Sequence, residues 1–344
     1  MMKLAALTDY KGRFGSKHFD SPYRSGMDKE KLKFYFSQYN VALSFIPMSL
    51  AWSQVLPEFN HFIYTSSEDE GYLYKSYIED IVLGLEKQGC RAIPGFIHLR
   101  ANNNKGMMEF LRRETKDEKL NTIRTQFFGT MEELIQQKNN IDYPIVIKKA
   151  AGASGRGVFK AKNQNELNHV ANLVSGSKSF LTDIKDWVRS KKHTGYVRDS
   201  VHRNKFIVQN FIPNLVNDWK VYWFNGELYL FFRPIFKHRD FVASGGGYDN
   251  YMYGEEAPRP EGFFEYVEHV MSFFKVPNAS LDVAFDGEKF YLLEIQFLYF
   301  GTAGIPYSKG YYKKSNGKWS FLKEKREIEH VYAKSIADFL KDEN

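Results

Sequence analysis

The spacing of apolar positions in the first hundred residues predicts strands that alternate with a helix. The short apolar runs KLAALTDY and HFIYTSSED predict two strands, and RAIPGFIHL predicts a third. Residues 72–89 instead carry apolar side chains at helical spacing and end at Gly89, a residue typical of a helix C-cap. Because strand–helix–strand order is typical of α/β units, we expect one at the N-terminus.

The pattern in the middle of the chain predicts four helices and one hairpin. The helices are expected over residues 104–115, 130–140, 165–176 and 180–192. The second should begin at Thr130, because Glu133 follows three residues later and completes a capping box. The hairpin spans residues 143–163, where two apolar runs flank a loop of Gly and Ala.

From Phe206 onward the apolar positions predict mainly strands. The runs are KFIVQNFI, DWKVYWFNGELYLFFRPIF and ASLDVAFDGEKFYLLEIQFLYF, and FNGE and FDGE indicate type I′-like hairpin turns. The final segment, IEHVYAKSIADFLKDEN, has the spacing of an amphipathic helix. These changes of pattern predict three parts: residues 1–98, 99–205 and 206–344.

Composition and charge narrow the class of protein. With 344 residues and 43% hydrophobic content, the chain should form a globular protein of two or three subdomains. A net charge of +7 favours anionic partners such as nucleotides, while the lack of a long basic block argues against nucleic acid. The single cysteine, Cys90, excludes an intrachain disulfide and fits a reducing compartment.

The same sequence contains no pattern expected of a membrane protein. No apolar run reaches the roughly 18 residues that a membrane span needs, and the N-terminal apolar stretch is too short for a signal peptide. We therefore expect a soluble, cytoplasmic protein with no membrane partner.

The hairpin PIVIKKAAGASGRGVFKAKN, residues 144–163, suggests a phosphate-binding loop. Gly152 and Gly157 have Walker A spacing, but Val158 stands where that loop needs Lys. The only G-x-G of this hairpin, Gly155-Arg156-Gly157, is followed by a strand-like run, which excludes a dinucleotide fingerprint there. A glycine hairpin after Lys148 could still place backbone N–H groups over phosphates. A flexible hairpin beside a basic surface is the alternative.

Two acids in apolar strands suggest a metal site. Asp282 precedes the FDGE turn and Glu294 follows it, so the predicted hairpin should bring them together. Gln296 lies two residues further and therefore on the same strand face as Glu294. Buried carboxylates need a cation, and oxygen-only ligands favour Mg²⁺. Surface carboxylates at a sheet edge, or partners of Lys and Arg, are the alternative.

The order of these segments resembles the ATP-grasp superfamily, which includes D-alanine–D-alanine ligase, glutathione synthetase and glutamate-adding ligases. NNNKGMMEFL is similar to the family's (D/N)K helix opening, and NTIRTQFFGTMEELIQQKNNIDYPIVIKKAAGASGRGVF to its T…E-E-L…PVVIKP…G-S-G-G-V segment. The resemblance covers about residues 100–305. It implies an α+β fold in which two α+β subdomains sandwich ATP, preceded by an N-terminal α/β domain.

The resemblance also implies a role for each matching residue that would bind ATP. Lys105 and Lys148 would contact the phosphates, with Lys148 also near the adenine. The lid over the β- and γ-phosphates would consist of Ala153, Ser154, Gly155, Arg156 and Gly157. The adenine would be bound by the segment Gln209, Asn210, Phe211 and Ile212, with the Asn210 side chain meeting the amino group. Asp218 would bind the ribose.

The catalytic and metal residues are implied in the same way. Lys220 and Arg233 would neutralise the phosphate and the intermediate. One or two Mg²⁺ ions, or Mn²⁺, would be held by Asp282, Glu294 and Gln296. The segment SGGGYDN, residues 244–250, would be a substrate-facing glycine loop.

Three residues depart from the family pattern. Asn210 replaces the usual Glu, but its amide oxygen can still accept a hydrogen bond from an amino group. Gln296 replaces the usual Asn and is one methylene longer. The extra methylene shifts the amide oxygen that would bind a second metal ion. Lys220 replaces the usual Arg and lacks its bidentate fork.

The implied function is an ADP-forming carboxylate–amine ligase. ATP would phosphorylate a small carboxylate, and an amine would attack the acyl phosphate to give an amide and free phosphate. Two alternatives stay open: an ATP-grasp kinase acting on a sugar or alcohol, and a nucleotide-binding protein without turnover. The substrates could include an acidic sugar or amino-acid derivative bound by the basic loop of residues 11–26, and a homodimer is a further option.

Overall fold

A computed structural model describes residues 1–17, 25–55, 58–152, 155, 157–177, 180–236 and 241–342. The chain forms two compact units. Unit 1 consists of Met1–Asn102 and Leu215–Asn344, and unit 2 of Asn103–Asn214. None of the helices in the described ranges combines the length and the apolar composition needed to cross a bilayer.

Strands and helices alternate early in the chain, and strands dominate its last third. In chain order the strands are β1 (Met2–Thr8), β2 (Val41–Pro47), β3 (His61–Tyr64), β4 (Arg91–Ile93), β5 (Thr125–Phe128), β6 (Ile145–Lys149), β7 (Val158–Ala161), β8 (Phe206–Asn210), β9 (Asn217–Phe224), β10 (Glu227–Pro234), β11 (Met252–Tyr253), β12 (Asn278–Phe285), β13 (Phe290–Gln296), β14 (Tyr311–Ser315) and β15 (Lys318–Leu322). The helices are α1 (Lys29–Gln38), α2 (Ala51–Gln54), α3 (Leu73–Lys87), α4 (Phe96–Ala101), α5 (Lys105–Glu114), α6 (Met131–Gln137), α7 (Gln164–Ser175), α8 (Phe180–Lys192), α9 (Phe263–Phe274), α10 (Gly304–Tyr307) and α11 (Ile328–Asp342).

Unit 1 contains two sheets. The first has the order β2–β1–β3–β4, and all of its strand pairs are parallel. As expected, α/β order is present at the N-terminus, and the apolar run in β1 is buried from Leu4 onward because a parallel sheet is covered on both faces. The second sheet is antiparallel, with the order β13–β12–β9–β10–β14–β15, and β11 pairs with β10.

Both ends of the chain contribute to one hydrophobic core in unit 1. Leu4 and Phe36 from the N-terminal part share a cluster with Tyr222 and Phe231 of the second sheet and Ile336 of α11. The predicted parts 1–98 and 206–344 therefore lie largely in the same unit. Sequence spacing could not show this, because the faces that bury against each other are more than a hundred residues apart along the chain.

Unit 2 contains the antiparallel sheet β5–β8–β6–β7. Helices α6 and α7 cover one face, where Leu134 and Val170 pack against Ile147 and Phe206. Thr130 and Glu133 form the predicted capping box at the start of α6. Strand β8, which we expected to open the third part of the chain, instead lies in the middle of this sheet because its backbone pairs with β5 on one side and β6 on the other.

Two local predictions were wrong. RAIPGFIHL is a strand only over β4, because Pro94 has no N–H to donate to the sheet. Helix α4 begins at Phe96, whose N–H donates to the Glu86 carboxylate at 2.9 Å. The FNGE turn has positive φ at Asn225 and Gly226, as a type I′ turn requires. At FDGE, however, the strands close at Phe285 and Phe290 around a four-residue loop that the Asp286 carboxylate caps.

Candidate active site

Five charged side chains lie across four strands of the second sheet in unit 1. Glu294 is directly opposite Asp282, Asp282 is opposite Lys220, and on the neighbouring register Asp218 is opposite Arg233. Alternate residues of a strand share a face, so Asp218 and Lys220 point to the same side. We call these five residues the charged row. The hairpin thus brings Asp282 and Glu294 together as expected, with a β-bulge directly after Asp282.

Arg233 joins the two aspartates of the charged row. Its Nε and Nη2 donate to Asp218 Oδ1 and Oδ2 at 2.6 and 2.8 Å, and Nη2 lies 2.9 Å from Asp282 Oδ2. Lys220 Nζ donates to the other Asp282 oxygen at 2.9 Å. All four side chains are largely buried. The two residues predicted to be catalytic are therefore held by the first predicted metal ligand.

The buried environment sets the charge of these groups. Burial by itself would raise the pKa of Asp282, but Arg233 and Lys220 outweigh it and hold that pKa well below its ordinary value. Burial raises the pKa of Asp218 despite the Arg233 guanidinium. Burial opposes the charged form of Arg233 as well, yet Asp218 and Asp282 raise its pKa well above the ordinary value. Asp282 and Arg233 are consequently both charged at neutral pH.

The three side chains that the sequence predicts as metal ligands carry the type of donor atom that Mg²⁺ needs. Asp282, Glu294 and Gln296 offer carboxylate and amide oxygens, which are the donors that Mg²⁺ prefers. Each Asp282 oxygen has a cationic partner but keeps a further lone pair. Within the described ranges, no three His, Cys, Asp or Glu side chains are grouped so that they could hold a metal. The protein ligands would thus be two acids and the Gln296 amide, a small set that suits an ion which keeps water and phosphate ligands.

The glycine loop predicted to face the substrate lies close to the charged row. Its Tyr248 side chain hydrogen-bonds that of Tyr222, and the positive charge of Arg233 acts on the Tyr248 hydroxyl. A Cβ at Gly246 would lie 2.9 Å from the Phe236 ring, so glycine allows a close approach there. Nothing in the sequence indicates the Tyr222–Tyr248 contact, because both residues resemble ordinary core aromatics.

In unit 2 the predicted phosphate-binding lysines flank the glycine hairpin. Lys105 begins α5, is buried, and donates from Nζ to the Gly152 carbonyl at 3.0 Å. Lys148 stands in β6 opposite Val158 of β7 and Ile207 of β8. At the base of the hairpin, the Lys149 N–H donates to the Gly157 carbonyl at 2.9 Å. The unit therefore carries one lysine that contacts the loop at Gly152 and another in the strand that leads into the loop.

The structure describes only part of the predicted lid. Gly155 has a φ of +69°, a conformation that favours glycine, and its carbonyl accepts from the Val158 N–H at 3.2 Å. A Cβ at Gly157 would approach the Lys149 side chain to 3.1 Å, so glycine also fits there. Ala153, Ser154 and Arg156 lie outside the described residues.

The segment predicted to bind adenine already has contacts within unit 2. Asn210 Oδ1 accepts from the Arg124 N–H at 2.7 Å, and the Phe211 N–H donates to the Pro144 carbonyl at 3.2 Å. Lys160 Nζ lies 3.6 Å above the Phe211 ring, and Ile212 is buried. The Asn210 oxygen keeps one lone pair for a base, and the adenine contacts remain a prediction.

Gln209 instead belongs to a buried polar network that the sequence did not reveal. Its Nε2 donates to Glu109 Oε1 at 3.0 Å and to Thr125 Oγ1 at 2.9 Å. Glu109 is ion-paired with the fully buried Arg112. Burial raises the pKa of Glu109, whereas Arg112 and Lys148 act to lower it. The network connects α5 to β5 and β8 on the sheet face that also carries Lys148.

Replacing Gln209 by leucine should lower the free energy of unfolding by about 1–3 kcal/mol, because Glu109 and Thr125 would lose a buried donor. Chemical denaturation monitored by circular dichroism measures this. The control is Gln126→Leu on the adjacent strand, whose side chain makes no hydrogen bond in the described part of the chain; its effect should stay within about 0.5 kcal/mol. Equal effects of the two substitutions would contradict a stabilising role of the network.

One segment of the chain matches a known family in sequence, and the whole chain is similar in fold to known proteins. The family model of the carbamoyl-phosphate synthase L chain, ATP binding domain, matches residues 111–184. No curated protein sequence matches the chain. The solved structures with similar folds include the following three, each matched over nearly its full length.

The structure of D-cycloserine synthetase has a TM-score of 0.57 and 10% identity, over 98% of this chain and 99% of that one. A RimK domain ATP-grasp protein from Sphaerobacter thermophilus has a TM-score of 0.52 and 12% identity, over 98% and 99%. A RiPP-associated ATP-grasp ligase from Chryseobacterium gregarium, solved with ADP and a leader and core peptide, has a TM-score of 0.53 and 12% identity, over 100% and 98%. The predicted ATP-grasp resemblance is therefore confirmed, and the chain has the ATP-grasp fold.

Proposed function

We propose that this chain, which has the ATP-grasp fold, is an ADP-forming ligase that joins a carboxylate to an amine. A substrate carboxylate oxygen attacks the γ-phosphorus of ATP, the bond to the β,γ-bridging oxygen breaks, and ADP leaves. The amine nitrogen then attacks the acyl carbon, loses a proton, and expels phosphate as the amide forms. No nucleophilic side chain is needed, so catalysis depends on positioning and on neutralising charge.

The observation that supports this proposal most strongly is the state of Arg233. Its Nε and Nη2 are fixed by Asp218 and Asp282, whereas Nη1 donates no hydrogen bond within the described ranges. Two N–H groups of a buried, permanently charged guanidinium are thus held in place for a further acceptor. A carboxylate or phosphoryl oxygen is the acceptor that such a group binds best. Preorganised donors of this kind stabilise developing negative charge without reorganising during the reaction.

Lys220 would supply a second positive charge. Its Nζ gives one hydrogen bond to Asp282, and an ammonium group has three donors. Asp282 therefore orients both cations, and Asp218 orients Arg233 from the other side. We assign Arg233 and Lys220 to neutralising the acyl phosphate and Asp218 to positioning Arg233, a role that replaces its expected contact with ribose.

In unit 2, Lys105 and Lys148 would contact the phosphates of ATP. The Gly155 and Gly157 part of the hairpin would offer backbone N–H groups, and Asn210 to Ile212 would bind the base. Asp282, Glu294 and Gln296 of unit 1 would hold Mg²⁺, which when bound neutralises phosphate charge and polarises the transferred group. A peptide carboxylate belongs among the candidate substrates, because the Chryseobacterium gregarium neighbour was solved with a peptide.

A panel of carboxylates and amines, each tested with ATP and Mg²⁺, distinguishes the candidate functions. For a ligase we expect ADP, free phosphate and amide in equal amounts, formed only when a carboxylate and an amine are both present. Separate assays for ADP, phosphate and the amide by mass spectrometry measure this. ADP without free phosphate would indicate a kinase, and ATP binding without ADP under every condition would indicate a non-catalytic protein; either result contradicts the proposal.

A further inference from the structure

Helix α8 of unit 2 exposes its apolar side. Four of its apolar side chains are exposed: Leu181 by 71%, Ile184 by 42%, Trp187 by 51% and Val188 by 49%. The most deeply buried side chain described in this helix is instead a carboxylate, Asp186. A surface helix of a globular protein normally buries its apolar stripe and exposes its charges. In α8 this arrangement is reversed.

Polar contacts hold the helix in this reversed orientation. The Asp186 carboxylate accepts a hydrogen bond from the Tyr196 hydroxyl at 2.6 Å and lies 3.8 Å from Arg189 Nη1. Asp183 is paired with Arg198 Nη2 at 2.6 Å. Both acids thus contact the segment that follows the helix, on the side away from the apolar stripe. The orientation of α8 is therefore specified by side-chain contacts and does not result from a lack of them.

The exposed stripe has the geometry of a helix-binding surface. Leu181, Ile184 and Val188 follow the i, i+3, i+7 spacing of a single face, and Trp187 lies beside Ile184 on the same turn. An exposed helix of only 13 residues gains little stability from propensity alone. Burying the four side chains against a partner would contribute stability that the chain itself does not supply. Large exposed aromatics such as Trp187 are also typical anchors of interfaces.

Positive charge borders this stripe. Lys185, Arg189, Lys191 and Lys192 are all exposed, whereas the two acids of the helix are occupied by Tyr196, Arg189 and Arg198. A second copy of the same face would bring like charges together, which is unfavourable. A partner with acidic residues beside an apolar stripe would be complementary in both respects.

We propose that the outward face of α8 binds an acidic, amphipathic helical segment of a partner polypeptide. Its apolar stripe covers Leu181, Ile184, Trp187 and Val188, and its acidic side chains lie beside Lys185 and Lys192. This interaction is independent of the ligase chemistry, because it uses none of the residues assigned to ATP, metal or acyl transfer. The test therefore needs no turnover, and its failure would leave the proposed reaction untouched.

The probe for the test is a labelled synthetic peptide of roughly 18 residues, or about five helical turns, with leucines at i, i+3, i+4 and i+7 and glutamates beside them. A peptide of the same composition in scrambled order is its control. Fluorescence anisotropy with the full chain should show saturable binding of the first peptide, at least about tenfold tighter than the second. Binding should weaken as salt rises from about 50 to 200 mM, because the charges are exposed.

Two variants test the apolar and the charged parts separately. Ile184→Ala/Trp187→Ala removes apolar area but keeps helix propensity, and Lys185→Glu/Lys192→Glu reverses the border charges. Each should weaken peptide binding at least about tenfold with unchanged circular dichroism. Matched controls elsewhere in unit 2, Leu173→Ala and Lys138→Glu/Lys162→Glu, alter exposed residues off α8 and should bind as the wild type does.

Three results would overturn the proposal. The first is equal binding of the two peptides. The second is a chain that binds vesicles containing about 30% anionic lipid but does not bind the peptide. If both α8 variants also lost the vesicle binding, the face would bind a membrane surface. The third is concentration-dependent dimerisation in sedimentation that Ile184→Ala/Trp187→Ala abolishes, again without peptide binding, which would identify a second copy as the occupant.

Discussion

Replacing Asp282 by asparagine should reduce ADP formation by a factor of about 10² or more while leaving the fold intact. The substitution keeps the shape of the side chain but removes the negative charge that orients Lys220 and Arg233. It also removes one of the two acids that face each other across β12 and β13. Initial rates of ADP release, measured with the carboxylate that gives the highest activity, report the effect.

Asp286→Asn is the matched control for this prediction. Asp286 lies four residues further along the same hairpin, and its carboxylate accepts from the Glu288 and Lys289 N–H groups in the turn. Asparagine can make the same turn contacts, so this variant should keep nearly full activity. If Asp282→Asn remained as active as Asp286→Asn, the charged row would not be the catalytic centre.

Replacing Arg233 by methionine should lower the free energy of unfolding by about 3–5 kcal/mol. The guanidinium is the partner of both Asp218 and Asp282, and all three groups are buried. Among the described residues, Lys220 is then the cation left to compensate these two buried carboxylates. Chemical denaturation near neutral pH, compared with the wild type, measures the loss.

An exposed ion pair in unit 2 provides the control. Arg124 and Asp142 are 3.1 Å apart, but their side chains are 79% and 80% exposed. Because water screens such a pair, Arg124→Met should cost less than about 1 kcal/mol. A cost for Arg233→Met as small as that for Arg124→Met would show that the buried pairs do not stabilise unit 1.

The Arg233→Met variant should also be less destabilised, relative to the wild type, at about pH 5 than at about pH 8. Burial already raises the pKa of Asp218 with Arg233 present, and removing the cation that opposes this must raise it further. A carboxyl group with a raised pKa in the folded state takes up a proton there more readily than in the unfolded chain. The stability lost by ionising this carboxyl group in the folded state is therefore small at low pH and grows as the pH rises toward the folded-state pKa. Adding Asp218→Asn should recover part of the lost stability at pH 8 and abolish much of the pH dependence.

Local features of the structure were predictable because each depends on neighbours in the sequence. Thr130 and Glu133 are three residues apart, and a capping box needs no other part of the chain. Asn225 and Gly226 accept positive φ wherever they occur, which specifies the first hairpin. The pairing of Asp282 with Glu294 also follows from a short hairpin, although the turn itself differs from the predicted type.

The sequence by itself therefore determined most of the elements, the two opposed acids of the last hairpin and, through the order of its motifs, the ATP-grasp fold. Only the tertiary structure decided that β8 completes the sheet of unit 2, that the two ends of the chain share a core, and that Arg233 links Asp218 to Asp282. It also decided that α8 presents its apolar side outward. Turn chemistry and helix spacing act over a few residues, whereas burial and ion pairing depend on which distant faces meet, and periodicity along one chain carries no information about that choice.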